Sequence, residues 1–152
     1  MAEAKVLSGA GLRGQVAGQT ALSTVGQAGA GLTYRGYDVR ELAADAQFEE
    51  VAYLLLYGEL PTKAQLADYQ SKLSKLRDLP QALKEVLERI PADAHPMDVM
   101  PTGCPFLGNI EPEKDFSVQR DVTDRLLAAF PAIMCYWYRF SHDGKRIDCV
   151  TH

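Results

Sequence analysis

Apolar residues recur at helical spacing through most of the chain beyond residue 38. Asp38 suits the N-cap of a helix opening at Val39. Phe48, Val51, Ala52 and Leu55 follow the i, i+3, i+4, i+7 rule, and Gly58 supplies a C-terminal stop. Pro61 marks a boundary, after which Thr62 and Gln65 form a capping box. The helix it opens places Leu66, Tyr69, Leu73 and Leu76 on one face. Leu83, Val86, Leu87 and Ile90 stripe the next helix, bounded by Pro80 and Pro91. A final helix is expected from about Phe116 to Phe140, carrying Val118, Val122, Leu126 and Leu127, with Pro131 kinking or dividing it. From Leu126 to Tyr138 that helix is apolar on every side, so it is expected to be packed on several faces. Short amphipathic helices cover such a helix only in part. The pattern therefore predicts a piece of a larger helical body, or half of a tight oligomer.

The N-terminal 31 residues differ, holding seven of the twelve glycines and few large side chains. Too little apolar area is available there to offset ordering entropy, so residues 1–31 are read as a partly mobile Gly/Ala-rich segment, ahead of a helical region at 32–152. Val16, Leu22 and Val25 suit a short strand or hairpin. Thr33 and Tyr34 favour another extended piece, with a turn at Gly36.

At 152 residues, with 47% hydrophobic and 24% charged, the composition is that of an ordinary globular domain. A net charge of −4 gives no electrostatic reason to expect nucleic acid as a partner. The longest uncharged apolar stretch has 13 residues, short of the roughly 20 a spanning helix needs, and no signal peptide opens the chain. Cys104, Cys135 and Cys149 are odd in number and lack CxxC spacing, which favours reduced cysteines packed as small apolar residues in a cytoplasmic protein.

Several segments imitate chemistry. Gly9-Ala10-Gly11-Leu12-Arg13-Gly14 fits GxGxxG, but no apolar strand precedes it and no helix follows. Ser141-His142-Asp143 sets three triad residue types side by side; nucleophilic triads assemble from distant positions, so with Gly144 it reads as a polar turn ending the helix. His95, His142 and His152 show no metal-ligand spacing. Glu111, Glu113 and Asp115 are expected to solvate a loop and favour the following helix N-terminus. Lys84, Glu85, Glu88 and Arg89 read as a solvated helix face. Tyr136, Trp137, Tyr138 and Phe140 read as core or dimer interface, since base stacking would want interleaved basic residues.

Leu32-Thr33-Tyr34-Arg35-Gly36-Tyr37-Asp38-Val39, Phe48-Glu49-Glu50-Val51-Ala52-Tyr53-Leu54-Leu55 and Gly58-Glu59-Leu60-Pro61-Thr62 resemble the N-terminal segment of the citrate synthase superfamily. His95-Pro96-Met97-Asp98-Val99-Met100, Ala132-Ile133-Met134-Cys135-Tyr136-Trp137-Tyr138 and Ser141-His142-Asp143-Gly144 are similar to its bacterial 2-methylcitrate synthase branch. The resemblance implies an all-α citrate synthase-like multi-helical fold, here an incomplete large domain with a short β element near the N-terminus. It also implies a homodimer that condenses propionyl-CoA or acetyl-CoA with oxaloacetate, without metal or bound cofactor. An aspartate takes the α-proton, two histidines assist, and arginines hold the carboxylates of oxaloacetate. The family's Gly-Pro-Leu-His-Gly-Gly and Gly-His-Pro contexts do not occur here; Ala94 precedes His95-Pro96, which takes no catalytic role. The resemblance thus places catalytic, cofactor-binding and metal residues nowhere within the chain, and the chain alone is expected to be inactive. The rival expectation is a non-catalytic helical module that pairs with itself or with a full-length synthase. Where the family usually reads Met-Arg-Thr-Gly, Met100-Pro101-Thr102-Gly103 stands, with Pro105 close behind. An interior proline costs a helix about 3 kcal/mol, so a break or kink is expected there.

Overall fold

The computed structural model describes residues 18–27 and 31–150, which fall into two units, residues 1–47 and 48–152. The GxGxxG segment, Val16 and His152 lie outside the described residues.

The first unit is built on an antiparallel three-stranded sheet in the order β1 (Ser23–Gln27), β2 (Gly31–Tyr34), β3 (Tyr37–Asp38). Thr24 pairs with Thr33, and their hydroxyls meet at 2.5 Å. Tyr34 pairs with Tyr37 across a two-residue turn in which Arg35 and Gly36 both have positive φ, 50° and 92°. That backbone is the one a tight hairpin needs, and Gly36 adopts it without steric cost. Helix α1 (Val39–Asp45) follows, and the Asp38 carboxylate accepts from the Arg40 amide at 2.7 Å as its cap.

The second unit is helical: α2 (Phe48–Tyr57), α3 (Lys63–Lys75), α4 (Gln81–Leu87), α5 (Pro96–Ile110) and α6 (Gln119–Asp143), with a 3-10 turn at Phe116–Val118. Each stop is local chemistry. Gly58 ends α2 at φ 98°, and Gly144 ends α6 at φ 64°. The Thr62–Gln65 capping box opens α3 as the sequence predicts. His95 caps α5, its Nδ1 accepting from the Met97 amide at 3.1 Å.

Helix α6 is the central element, packed against α3, α4 and α5. Its Ala129, Ala132, Ile133, Tyr136 and Trp137 join Leu79, Leu83, Leu87, Val99, Leu107 and Cys149 in the main core. Ala128 meets Ala52, Tyr69 and Leu73 in a second cluster. Gly103 lets α5 and α6 approach closely; a Cβ there would lie 2.8 Å from Ile133 Cγ2.

Three expectations are corrected. Helix α6 runs unbroken through Pro131, so one backbone bond, to Leu127, is lost without dividing it. Helix α5 likewise continues through Pro101 and Pro105, both on its exposed side, where the carbonyls they leave unpaired meet water rather than core. Helix α2 buries Ala52 and Leu54, whereas Phe48 is 64% exposed, so its inward face is rotated from the predicted stripe. The Leu126–Tyr138 segment, by contrast, is covered only in part as expected, leaving Phe130, Pro131, Cys135 and Tyr138 exposed.

Candidate functional site

The most elaborate polar arrangement centres on Asp124, a carboxylate with no solvent exposure in the middle of a tyrosine cluster. Tyr69 donates to its Oδ1 at 2.8 Å, Lys72 donates to Oδ2 at 2.7 Å, and the Tyr57 hydroxyl lies 3.4 Å from Oδ2. Lys72 also reaches Asp121 at 2.8 Å. Tyr53 stacks on Tyr57 with ring centroids 4.2 Å apart and meets Tyr69 edge-on at 5.5 Å, while the Arg120 guanidinium covers the outer face of Tyr57 at 4.6 Å. Burial and then the Asp124 carboxylate hold the Tyr69 phenol far above its ordinary range. Hydrogen bonds to Asp121 and Asp124 hold the Lys72 ammonium in its charged form. Its partners among the described residues, Tyr57, Tyr69 and Lys72, come from α2 and α3 and no solvent reaches it, so the arrangement clamps α2, α3 and α6 together. Its signal in the sequence is slight: one carboxylate four residues ahead of Ala128, on the face that leads into the apolar run.

A second polar clamp corrects the reading of Lys84, Glu85, Glu88 and Arg89 as a merely solvated face. Arg146 forks onto Glu88 at 2.7 and 2.8 Å, and the Tyr136 hydroxyl donates to the same carboxylate at 2.8 Å. The guanidinium first, and the phenol second, bring the Glu88 carboxyl down to about 2. Burial followed by Glu88 pushes the Tyr136 phenol up to about 12. Because the folded carboxyl titrates below its ordinary value of 4.5, its contribution is complete above pH 4.5 and vanishes as pH falls through about 2. Glu88→Gln is therefore expected to be less stable than the parent at pH 7, with the gap in urea midpoints narrowing from pH 4.5 downward. A gap that persists unchanged at pH 2 would contradict the clamp.

Beside these clamps a cavity of about 390 Å³ opens between α2, α3, α6 and residues 147–149. Its walls include Leu73, Leu127, Ala128 and Ile147, with the Cys135 and Cys149 thiols and the Arg77 guanidinium among its few polar groups. Burial raises the Cys149 thiol, which keeps it protonated and a poor nucleophile. Cys149 packs as a small apolar residue, as expected; Cys135, on the uncovered side of α6, does not. Among the described residues no histidine lines this cavity; the ionisable groups beside the thiols are Glu49, Arg77 and Asp148.

The remaining candidates resolve into structural roles. Ser141, His142 and Asp143 form the last turn of α6 rather than a turn beyond it. Ser141 Oγ and His142 Nδ1 do meet, at 2.9 Å. The series stops there: the imidazole stacks on Tyr138 at 4.1 Å, and Asp143 pairs with Arg139 instead. Glu111 does not merely solvate its loop, since Arg125 donates to its two oxygens at 2.8 and 2.9 Å. Asp115 does cap the turn that leads into α6, accepting from the Ser117 amide at 2.7 Å. Tyr136 and Trp137 are core, with Trp137 Nε1 donating to the Ile90 carbonyl at 3.3 Å, whereas Tyr138 is half exposed. Among the described residues no helix is long and apolar enough to cross a membrane.

Six helices and a small sheet, carrying these motifs in this order, define a class. Residues 11–151 match the family model for the citrate synthase C-terminal domain, and the chain belongs to the citrate synthase family. It is 74% identical over 151 residues to the 2-methylcitrate synthase of Shewanella oneidensis, an alignment covering 99% of this chain and 40% of that protein. It is 41% identical over 125 residues to the 2-methylcitrate synthase of Mycobacterium tuberculosis, covering 82% of this chain and 32% of that one. The fold superposes on the citrate synthase of Thermotoga maritima with a TM-score of 0.78 at 32% identity, over 91% of this chain and 36% of that one. It superposes on the Thermoplasma acidophilum citrate synthase, in ternary complex with carboxymethyl coenzyme A and oxaloacetate, with a TM-score of 0.79 at 26% identity, over 87% of this chain and 35% of that chain. The chain thus spans about 40% of the length of its Shewanella relative and less of the others.

Proposed function

We propose that this chain is a portion of a 2-methylcitrate synthase-type acyltransferase, an enzyme joining propionyl-CoA or acetyl-CoA to oxaloacetate, and that it supplies part of that enzyme's helical large domain. The observation that carries this reading is 74% identity across 99% of the chain to a 2-methylcitrate synthase. In this reading the described residues build a frame, held by the Asp124 and Glu88 clamps, and the groups that move protons lie elsewhere in the complete enzyme. The protein is cytoplasmic, and no metal or cofactor is assigned to it. The uncovered stripe Phe130, Pro131, Cys135 and Tyr138 then meets further helices, those of a second copy in a homodimer included. The 152-residue chain is expected to give no thiol release from propionyl-CoA with oxaloacetate above the protein-free rate. Clear turnover by the purified chain would overturn the assignment of a non-catalytic frame.

The same exposed stripe favours one alternative, a helical module that binds a full-length synthase without taking part in catalysis. Co-purification with a full-length synthase, together with a melting temperature that oxaloacetate leaves unchanged, is the outcome that selects it.

A further inference from the structure

The cavity of about 390 Å³ beside the clamps is lined by two of the chain's three cysteines, and they reach it from different elements. Cys135 stands on α6 and is exposed. Cys149 comes from residues 144–150, which form no helix or strand and follow the left-handed turn at Gly144. Its side chain is 7% exposed and joins the core cluster that includes Ala132 and Tyr136, the residues flanking Cys135 on the inward side of the helix. The pairing of Arg146 with Glu88 anchors the same segment. Burial raises the Cys149 thiol most, and Cys135 is among the neighbours whose charge adds to that rise, a coupling that falls off with distance. Cys104, on α5, does not line this cavity.

We propose that Cys135 and Cys149 are an oxidation site, a thiol pair that a peroxide converts to a disulfide pinning residues 144–150 to α6. Exposure divides the roles. Cys135 meets the oxidant, and Cys149, closed to solvent, resolves the product. The Cys135 sulfur attacks one peroxide oxygen and the O–O bond breaks. The departing hydroxide takes the thiol proton and leaves as water, and Cys135 becomes a sulfenic acid. The Cys149 sulfur then attacks the Cys135 sulfur, so the S–S bond forms as the S–O bond breaks. The Cys149 proton leaves with the hydroxyl group as a second water. Two thiols are oxidised by two electrons, and one peroxide is reduced to two waters. A disulfide wants Cα atoms roughly 4.4–6.8 Å apart, and a segment without helix or strand can settle to that spacing where a second helix could not. A partner covering the stripe from Phe130 to Tyr138 would shut the peroxide out, so the bond marks the chain with that stripe open.

Hydrogen peroxide added to the reduced full chain, followed by alkylation, thiol counting and mass spectrometry, tests the pair. Two of the three thiols are expected to disappear with a mass loss of about 2 Da, reversed by dithiothreitol. Trypsin is expected to release the segment Leu126–Arg139 linked to Ile147–His152, since Arg139 and Arg146 separate the two cysteines. Cys104→Ser is expected to leave the link and its rate unchanged. Cys135→Ser alters an exposed side chain, so the fold is kept, and is expected to leave the other two thiols free. In urea, where the fold no longer holds the thiols together, the link is expected to form at least about tenfold more slowly. Three free thiols after peroxide, a link through Cys104, a disulfide between two chains, Cys135 carried on to sulfinic acid beside an untouched Cys149, or equal rates in urea would each overturn the proposal.

Discussion

Replacing Asp124 with alanine is expected to cost about 3 kcal/mol of folding free energy, because removing one partner of a buried charged pair strands the others. The Tyr69 hydroxyl, 2.8 Å from Oδ1 and on a side chain 4% exposed, would keep its desolvation penalty and lose its acceptor. Lys72 suffers less. Its side chain is 40% exposed, and it keeps Asp121 at 2.8 Å, so its ammonium can turn toward water. Asp124→Asn retains an acceptor of the same shape and should recover part of the loss. Urea denaturation at neutral pH measures both; a loss under about 1 kcal/mol for the alanine variant would mean that the tyrosine cluster, not the carboxylate, joins α2, α3 and α6.

Gly103→Val is the second large effect, expected at about 3 kcal/mol, near the upper end for overpacking a closed core. The added Cβ would stand 2.8 Å from Ile133 Cγ2, 3.5 Å from its Cδ1 and 3.6 Å from Leu87 Cδ2. Ile133 and Leu87 are fully buried, so neither has room to withdraw. The single methyl of Gly103→Ala asks for a smaller shift and gains helix propensity of up to about 1 kcal/mol, which offsets part of the strain. Ile133→Ala in the Gly103→Val background should restore part of the loss, giving a double-mutant coupling outside additivity. Additive losses would place the strain somewhere other than the α5–α6 contact.

Much of this frame was legible in local chemistry. The Asp38 cap, the Thr62–Gln65 box and the Gly58 and Gly144 stops each act within four residues, where one side chain or one positive φ decides the outcome. The stripe Leu83 and Leu87 reads directly because a helix with one buried face repeats its apolar residues at 3.6-residue spacing, and both are fully buried. The family itself was visible in the ordered motifs between Leu32 and Gly144.

Other features stayed hidden for a common reason. Whether Glu88 is solvated or clamped depends on Arg146, 58 residues away. Asp124 looks like any surface carboxylate until Tyr57, Tyr69 and Lys72 close over it from two other helices. Pro101, Pro105 and Pro131 carry a local rule that says break, yet their helices continue. Packing across α3, α4 and α5 outweighs one missing hydrogen bond at a time, and the exposed prolines of α5 leave their unpaired carbonyls to water. The same reasoning applies to the candidate site. A cleft of about 900 Å³ between the end of α3, α5 and the start of α6 could not be read from the pattern, since its floor and rim come from three separated stretches.

Caps, turns, stripes and family membership follow from the order of residues along the chain, because each is written in short-range spacing. Which charges are paired, which face of α6 is left open, and where α5 touches α6 at Gly103 follow from the packed helices alone, because those contacts join residues some 30 to 60 positions apart whose meeting no local interaction specifies.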